Sequence, residues 1–373
     1  MRVNIFDNGL RSGTGHHFDY CLNLACSLTQ RGHAVSVWGA RGMPDDVIAA
    51  FHQVGSQASA LFSHFTHDHP APDIDSPGIV RALANKAAQE LAQAGIAELN
   101  LFPTLTALQL AAWSRLEVAG PMAGLVHVPP EDEHPASGTL WIEATGRARA
   151  RGLHVAVAAI DPEIGSALRA ASDALAVFDW PMPLDGTPKP HYQPQIASVG
   201  FIGHQREERG ILLIPHLVRA LLDTGYRVLI HDTMGQFQSL TATPNLVLIS
   251  GFVRKLAIVL AQCDLVVCTM QPAHYARRTS GIACSAVACG IPLVLPSGTL
   301  SAARYDRLES VVCYHERTVP AVLDAVAQSR LDYPRRCLDA QRAALDWRQT
   351  QGVEKFVDAV LAASPLPTQS APA

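Results

Sequence analysis

The sequence contains no apolar run long enough to cross a membrane, because its uncharged apolar stretches have only the length of a β-strand. Its first residues, MRVNIFDNGL, lack the long apolar centre of a signal peptide and predict a buried strand instead. No basic stripe is present, and a net charge of −4 gives no electrostatic basis for binding nucleic acid. We therefore expect a cytoplasmic protein without a transmembrane segment, and leave peripheral contact with a membrane open.

The eight cysteines include no C-x-x-C pair, and most lie in apolar segments, where cysteine behaves as a small hydrophobic residue. We interpret them as reduced thiols. His64, His67 and His69, with Asp68, have the residue types of a metal site. Their proline-rich surroundings favour a solvated loop, so we predict no metal ion.

The 373 residues are too many for one compact core and suit two domains of ordinary size. A short strand at Arg2–Phe6, a glycine-containing turn, a helical pattern over 18–29 and a strand over 34–38 form a β-α-β unit. Such units build parallel sheets covered by helices. Further strands are predicted at residues 98–102, 124–128, 154–160 and 174–178.

Five prolines interrupt this alternation between residues 179 and 195, and we predict the domain linker there. Strands are then predicted at 197–202, 227–231, 246–249, 265–268, 293–295 and 311–314, with helices at 212–222, 254–261, 281–289 and 319–327. The predicted fold is α/β, with two tandem doubly wound Rossmann-like domains facing a central cleft. The boundaries are 1–180 for the N-terminal domain, 181–195 for the linker, 196–340 for the C-terminal domain, 341–363 for a closing helix and 364–373 for a flexible tail.

The segment YARRTSGIACSAVACGIPLVLP, residues 275–296, carries the strongest functional pattern. Ser280 is a natural N-cap, Gly281 allows a ligand to approach the backbone, and Gly290 suits the end of a helix. Arg277 and Arg278 stand beside the positive end of that helix, which predicts an anion site for a phosphate. An ordinary helix start with two solvated arginines is the alternative.

A second cationic turn follows the first strand of the C-terminal domain, in residues 203–210. Arg209 precedes Gly210 at the mouth of a helix, where it could reach a diphosphate, and His204 could donate a second hydrogen bond. Arg206 and its two acidic neighbours are interpreted as a charged surface turn. Two positive loops before helices favour a diphosphate over two coincidental turns.

In the N-terminal domain, Gly13 and Gly15 precede a helix and permit close approach of a phosphate or sugar, and His16 and His17 follow them. Phe18 stands where the third glycine of G-x-G-x-x-G would be, so dinucleotide binding is the weaker interpretation. His127 ends an apolar strand, and it either contacts a substrate hydroxyl or is a buried histidine with its bonds satisfied.

The whole chain resembles the GT-B glycosyltransferases, specifically the large retaining group that uses nucleotide sugars (glycosyltransferase family 4-like). Within the family's E-A-x-A-x-G-x-P-V-V segment the matching residues are Ala286, Ala288, Gly290, Pro292 and Val294. Its Y-x-x-R-[TS]-S-G variant is matched in full by Tyr275, Arg278, Thr279, Ser280 and Gly281. The motifs are specific in the second domain and loose in the first.

The resemblance implies roles for individual residues. Arg209 takes the place of the diphosphate-binding lysine, His204 stands where an arginine is usual, and His127 matches the histidine near the reacting sugar. Main-chain groups of Gly251, Phe252 and Val253 would contact the nucleotide base, and Ser280, Gly281 and Ile282 would meet the phosphates.

Two positions depart from the family pattern. The glutamate that holds the nucleotide ribose is replaced by Ser285, and the acidic residue eight positions earlier is Arg277. A serine hydroxyl still makes one hydrogen bond, weaker than a carboxylate bond by on the order of 1 kcal/mol. Arg277 could add a phosphate contact, or donor binding could be lost.

We therefore predict a metal-independent retaining glycosyltransferase that needs no cofactor beyond its nucleotide-diphosphate sugar donor. The second domain would bind the donor through the residues named above, and Gly13 and Gly15 of the first domain are also predicted to contact the donor. The first would bind an unidentified acceptor (glycan, lipid-linked or small molecule, or protein), with His16 and His17 on its side. Arg209, Arg278 and His127 are the predicted catalytic residues. The alternative is a catalytically inactive GT-B-fold binding or partner protein; an epimerase of related fold ranks lower, because no acid–base pair is evident.

Overall fold

The structure, a computed structural model, describes residues 1–13, 15–63, 77–133, 136–171, 175–240, 243–251, 253 and 255–364, without the side chains of His16 and Pro77. The histidines considered as metal ligands (His64, His67 and His69) and the predicted base-contacting Phe252 lie outside these residues. The chain divides into two compact units. Unit 1 comprises Met1–Pro183 and the C-terminal segment beginning at Val353, and unit 2 comprises Leu184–Gly352.

Unit 1 contains a parallel sheet of seven described strands in the order β3-β2-β1-β4-β5-β6-β7. Strands such as MAGLV (β5) and VAVAA (β6) are buried along their whole length, as expected where helices cover both faces of a parallel sheet. The elements in chain order are β1 Arg2–Phe6, α1 Gly15–Gln30, β2 Ala34–Ala40, α2 Asp45–Gln53, β3 Gln57–Phe62, α3 Pro77–Gln93, β4 Leu99–Phe102, α4 Ala107–Trp113, β5 Met122–Val126, α5 Pro130–Glu133, α6 Ser137–Ala150, β6 Val155–Ala159, α7 Pro162–Ala171 and β7 Ala176–Phe178.

Unit 2 contains a second parallel sheet, of six described strands in the order β10-β9-β8-β11-β12-β13. Short 3-10 turns at Glu207–Arg209 and Ile211–Leu213 precede its first helix. The elements are β8 Ser198–Phe201, α8 Ile214–Asp223, β9 Arg227–Asp232, β10 Leu246–Ser250, α9 Leu256–Leu260, β11 Leu265–Val267, α10 Pro272–Tyr275, α11 Gly281–Ala288, β12 Leu293–Pro296, α12 Leu300–Tyr305, β13 Val311–Tyr314, α13 Val319–Arg330 and α14 Tyr333–Thr350. The last helix of the chain, α15 Val353–Ala363, belongs to unit 1.

Several elements differ from the sequence-based expectation, among them the short helices α10 and α12, which were not predicted. Strand β3 was not predicted, because QASALF mixes exposed and buried positions and carries only a weak strand pattern. The single closing helix expected over 341–363 is divided into α14 and α15, because Gly352 has a φ of 102° that an α-helix cannot contain. That break separates the last helix from unit 2 and leaves it in unit 1, where α15 packs against α1.

A large apolar core lies beneath the second sheet. Helix α8 places Ile214, Leu217, Val218 and Leu221 on one buried face, at the spacing of an amphipathic helix. All eight cysteines are free thiols. Among the helices of the described residues, none combines the length and apolarity that a membrane span requires.

Candidate functional site

Strand order reverses once in each sheet, between β1 and β4 in unit 1 and between β8 and β11 in unit 2. The chain leaves two adjacent strands in opposite directions at such a point, which opens a crevice beyond their carboxyl ends where open α/β sheets bind ligands. In unit 2 the two loops at this point are residues 202–213 and 268–280, which contain the two cationic segments predicted from the sequence.

The loop after β8 is packed against the backbone after β11. Thr269 Oγ1 donates a hydrogen bond to the Arg209 carbonyl oxygen at 2.7 Å. A Cβ atom on Gly210 would lie 2.1 Å from the Thr269 carbonyl oxygen, and Gly210 has a φ of 78°. Only glycine fits this position, and the close contact fixes the backbone of Arg209 beside the loop that leads to α11.

The Arg209 side chain extends toward the first turn of α11. A Cβ atom on Gly203 would lie 2.9 Å from Arg209 Nη1 and 2.6 Å from Ile282 Cγ1. Arg209, Ser280 and Ile282 line one cavity of about 20 Å³, which is large enough for one water molecule. The structure thus brings the two predicted cationic segments together at one point.

Helix α11 begins as its sequence predicts. Ser280 is buried, and its hydroxyl accepts a hydrogen bond from Ala283 N at 3.4 Å. The Ser280 N–H donates to Ser301 Oγ at 3.1 Å. The N–H groups of a first helical turn have no partner within the helix, so this end carries partial positive charge.

Three arginine side chains lie close enough to influence one another here. Burial lowers the pKa of Arg206, and the positive charges of Arg209 and Arg278 lower it further, against the opposing effect of Glu208. Arg206 Nε lies 3.1 Å from Glu208 Oε1, and the Arg278 guanidinium lies 5.5 Å from the Tyr275 ring centre. Arg206 is exposed, as expected for a charged surface turn, and it also lies near enough to Arg209 and Arg278 to add its charge to the cluster.

Unpartnered polar atoms are concentrated at the carboxyl edge of the second sheet. In the described part of the chain, ten buried side-chain nitrogen or oxygen atoms have no hydrogen-bond partner, and five of them lie at this edge. Buried polar groups are normally hydrogen-bonded, so such a concentration indicates groups placed for a ligand. The five atoms are Arg209 Nε, His231 Nδ1, Tyr275 OH, Thr279 Oγ1 and Arg317 Nε.

Arg317 and His231 were missed by the sequence analysis, because neither lies in a recognisable motif. Arg317 follows β13, and its Nη2 donates to the Thr269 carbonyl oxygen at 3.4 Å. His231 lies at the end of β9, where Nε2 donates to the Gly251 carbonyl oxygen at 2.9 Å and burial lowers the pKa of the ring. The only available signal was their position at strand ends.

His204 lies between the loops that follow β8 and β9. Its Nδ1 forms a hydrogen bond of 2.5 Å with Thr233 Oγ1. Burial lowers the pKa of His204, and the positive charges of Arg206 and Arg209 lower it further. The ring is therefore neutral near pH 7 in the unliganded protein.

Ser285 and Arg277, the two departures from the family pattern, lie in and just before α11. Ser285 is buried within the helix, and Arg277 is half-buried. The predicted base-contacting segment follows β10, where Gly251 has a φ of 69° and Val253 is half-buried. Its middle residue, Phe252, is outside the described residues.

At the switch point of the first sheet, a buried carboxylate meets a histidine. Asp7 directly follows β1 and is fully buried. His17 Nδ1, in the first turn of α1, lies 2.8 Å from Asp7 Oδ1 and 2.9 Å from Asp7 Oδ2. Gly13 lies in the loop between Asp7 and His17. Gly15 is the first residue of α1 and has a φ of 77°. The neighbouring residue His16 lies in the helix.

His127 lies just beyond β5, which ends at Val126 rather than at residue 128 as predicted. Its Nε2 donates to the Pro103 carbonyl oxygen at 2.9 Å, and its ring centre lies 5.7 Å from that of Tyr20. The side chain is half-buried at the carboxyl edge of the first sheet. The position at the edge of the sheet agrees with contact to a substrate hydroxyl. The hydrogen bond to the backbone agrees with a histidine whose bonds are satisfied.

The described residues contain no group of three or more histidine, cysteine, aspartate or glutamate side chains arranged to hold a metal ion.

No family model and no curated protein sequence matches the chain. Solved structures do. Sucrose-phosphate synthase from Thermosynechococcus elongatus has a TM-score of 0.69 at 12% identity, covering 98% of this chain and 100% of that one. The HepE protein of Anabaena, solved with UDP and glucose, has a TM-score of 0.65 at 15% identity, with 98% and 100% covered. The calicheamicin glycosyltransferase CalG4 has a TM-score of 0.61 at 17% identity, with both chains covered completely.

The fold follows from these similarities. Each of the three structures is matched over both α/β units, and the two parallel sheets have the strand orders described above. The chain has the GT-B fold.

Proposed function

We propose that the protein is a glycosyltransferase that moves a sugar from a nucleotide-diphosphate donor to an acceptor. Unit 2 binds the donor at the switch point between β8 and β11, and unit 1 binds the acceptor at the switch point between β1 and β4. The observation that carries the proposal is the convergence of Arg209, Arg278 and the first turn of α11, together with the unpartnered Arg209 Nε.

These groups suit the charge that develops during transfer. When the bond between the sugar and the diphosphate breaks, negative charge accumulates on the leaving diphosphate, and preformed donors stabilise it. Guanidinium groups form strong charge-assisted hydrogen bonds to phosphate oxygens. Arg206 and Arg317 lie at the same edge and supply further positive charge. No covalent participation by the protein and no cofactor is required.

UDP is the first ligand to test. HepE was solved with UDP and with UDP-glucose, and HepE matches this chain over both units. We propose that the base contacts the backbone after β10, from Gly251 to Val253. With Ser285 in place of the family glutamate, a hydroxyl rather than a carboxylate would hold the ribose, and nucleotide binding is weaker by on the order of 1 kcal/mol.

The resemblance to family 4 implies retention of configuration at the sugar, with His127 near the reacting carbon. Retention requires no protein base on the acceptor side. Asp7 and His17, however, have the arrangement of such a base. The stereochemical outcome therefore separates two possible mechanisms within the same proposed activity.

Calorimetric titration with UDP, GDP, ADP and dTDP tests the donor site directly. We expect one diphosphate to bind, and we expect Arg209→Ala and Arg278→Ala each to weaken its binding by about ten- to a hundredfold, through the loss of a charge-assisted hydrogen bond. Arg206→Ala should weaken binding too, by a smaller factor, because this side chain is more exposed. Arg219→Ala, on the exposed side of α8, is the matched control and should leave the affinity unchanged.

Equal affinities for the Arg209, Arg278 and Arg219 variants would remove the site assignment. The protein could bind a diphosphate and yet release no free nucleotide from any of the corresponding nucleotide sugars. That outcome would indicate the alternative, an inactive binding protein of GT-B fold.

A further inference from the structure

Five arginines are exposed or half-buried on one surface of unit 1, which is formed by α3, α6 and the segment that follows α4. Two glutamates accompany them, so these seven residues carry a net charge of +3 (five positive, two negative) in a chain whose net charge is −4. The remainder of the chain therefore carries −7 (−4 minus +3). We call this surface the cationic face; its arginines are Arg81, Arg115, Arg147, Arg149 and Arg151, and its glutamates are Glu117 and Glu143.

Contacts between α3 and α6 hold three of these positive charges close together. Arg81 Nη2 on α3 lies 2.6 Å from Glu143 Oε1 on α6. Arg115 follows α4, and burial lowers its pKa. The positive charges of Arg147 and Arg81 lower that pKa further, against the opposing effect of Glu143. One carboxylate thus lies among three guanidinium groups, and the repulsion between them is a cost that an anionic partner would remove.

Arg151 extends the cationic face to the residues after α4. Its Nη1 and Nη2 donate to the carbonyl oxygens of Ser114 and Glu117, each at 2.9 Å. Both acceptors are neutral main-chain groups, so they fix the guanidinium without cancelling its charge. Val118, the residue after Glu117, is consequently held beside a positive charge at the surface.

Aliphatic side chains are exposed beside these charges. Ile79, Val118 and Ile142 are 38%, 71% and 56% exposed, and each lies one or two positions along the chain from a charged residue of the cationic face. Aliphatic groups of this kind can enter the boundary between the headgroups and the acyl chains of a bilayer. Arginines beside them are attracted to the negative surface potential of anionic lipids. The combination suits a lipid surface.

The same surface offers little that a nucleic acid would use. The only aromatic residues of α3, α4 and α6 are Trp113 and Trp141, and each is 1% exposed. Single-stranded nucleic acid is held by bases stacked on exposed aromatic rings as well as by positive charge. These helices provide the charge without the rings, and they add exposed aliphatic groups that nucleic acid does not need. A membrane is therefore the better partner for this surface.

We propose that the cationic face of unit 1 docks on a membrane surface that contains anionic phospholipid. Arg147 and Arg149 lie against the lipid phosphates, and Val118 and Ile142 enter the boundary between headgroups and acyl chains. The docking is peripheral and reversible, because it depends on a few charges and a few aliphatic side chains and is weakened by salt. It concerns unit 1 alone and holds whether or not the protein transfers a sugar.

Sedimentation of the full chain with lipid vesicles tests the docking. We expect binding to vesicles of equal parts phosphatidylcholine and phosphatidylglycerol, and at least roughly tenfold weaker binding to vesicles of phosphatidylcholine alone. Raising the salt concentration from about 0.05 M to about 0.5 M should release the bound protein, because it shortens the Debye length roughly threefold.

Two double variants separate the contribution of charge from that of apolar contact. Arg147→Glu with Arg149→Glu changes the net charge of the cationic face from +3 to −1, and binding to the anionic vesicles should fall at least roughly tenfold. Val118→Ser with Ile142→Ser removes the aliphatic groups and keeps every charge. This variant should bind about three- to tenfold more weakly, with an unchanged dependence on salt concentration.

Arg342→Glu with Arg348→Glu is the matched control, since it makes the same change in net charge at exposed positions of α14 in unit 2 and should leave vesicle binding unchanged. Circular dichroism verifies that each variant is folded. Absence of vesicle binding, equal binding to the two lipid compositions, or equal losses in the α6 and α14 variants would refute the docking. Binding to a single-stranded oligonucleotide but not to vesicles, lost in the α6 variant, would assign the cationic face to nucleic acid instead.

Discussion

The Arg209 guanidinium lies across the backbone of Gly203, where a Cβ atom would be only 2.9 Å from Arg209 Nη1. The same Cβ would be 2.6 Å from Ile282 Cγ1, and Gly203 has a φ of 99°, a conformation that L-residues avoid. Gly203→Ala should therefore displace Arg209 from α11. We expect a loss of about 1–3 kcal/mol in unfolding free energy and roughly tenfold weaker diphosphate binding, measured by chemical denaturation and calorimetry.

Gly225→Ala distinguishes the effect of backbone strain from the effect of displacing Arg209. Gly225 also has a positive φ, 88°, yet nothing lies within 4 Å of the position that its Cβ would occupy. This variant should lose stability through backbone strain alone and retain diphosphate affinity. If both variants bound the diphosphate equally well, Arg209 would not depend on Gly203 for its position.

Much of the second unit could be predicted from its sequence, because its signals are local. Ser280 as an N-cap and Gly281 as the first residue of α11 are short-range patterns, and the structure places them as predicted. The alternation of strands and helices likewise identified two parallel α/β domains, because apolar runs between glycine turns recur along the chain.

The contacts that complete the site could not be predicted in this way. Arg317 reaches Thr269 across 48 positions of sequence, and the two meet only because β13 and β11 lie in the same sheet. In the sequence, Arg206 is one of several charged residues in a turn. It lies near Arg278 only because the loops 202–213 and 268–280 pack against each other. Asp7 was overlooked as well, since nothing in its local sequence shows that it is fully buried.

His204 should take up a proton when the diphosphate binds. Its pKa is lowered in the unliganded protein by burial and by the positive charges of Arg206 and Arg209, so it is neutral at pH 7. A bound diphosphate brings negative charge and raises that pKa, so affinity should rise as the pH falls from about 7.5 to 6. Calorimetry in two buffers of different ionisation enthalpy measures the proton uptake.

The diphosphate also titrates near pH 6, so the pH dependence of its affinity must be compared between the unmodified protein and a variant. His204→Gln keeps a hydrogen-bond donor for Thr233 and removes the titrating ring. We expect it to show less proton uptake and a flatter pH dependence of affinity than the unmodified protein. Identical proton uptake by the two proteins would mean that His204 does not sense the ligand.

Lys189 anchors the segment that was predicted as a linker. Its Nζ lies 2.7 Å from Asp264 Oδ1, and both side chains are buried. Asp264 Oδ2 also accepts hydrogen bonds from Ser198 N at 3.0 Å and from Ser198 Oγ at 2.9 Å. Lys189→Met leaves a buried carboxylate without its cation, and we expect a loss of about 3–5 kcal/mol in the unfolding free energy of unit 2, measured by urea titration.

The double variant Lys189→Met, Asp264→Asn should recover part of this loss, because it removes the unpaired charge as well. Lys255→Met, at an exposed position just before α9 in the same unit, serves as the control. The pair lies at the start of β8 and β11, at the end of the sheet opposite the arginines, so the affinity of the folded protein for the diphosphate should not change. A double variant less stable than Lys189→Met would contradict the unpaired-charge explanation.

Glu133 should make unit 1 less stable at alkaline pH. Its carboxyl is enclosed although the residue as a whole is partly exposed, and burial raises its pKa from 4.5 to about 8, against the opposing effect of the hydrogen bond from Ala107 N at 3.1 Å. The folded state thus holds a proton that the unfolded state has lost above about pH 4.5. The protonated Glu133 carboxyl therefore contributes to the unfolding free energy at low pH, and this contribution is lost as the pH rises through 8.

Glu133→Gln keeps the hydrogen-bond acceptor for Ala107 and cannot ionise, so it isolates this effect. Between pH 6 and 9 the unmodified protein should lose on the order of 1 kcal/mol more unfolding free energy than the variant, a value reduced by partial exposure. Melting temperatures of both proteins across this range provide the measurement. Glu131→Gln, at an exposed position of the same short helix, is the control and should follow the unmodified protein. Parallel curves for the unmodified protein and Glu133→Gln would show that Glu133 is already ionised at pH 6.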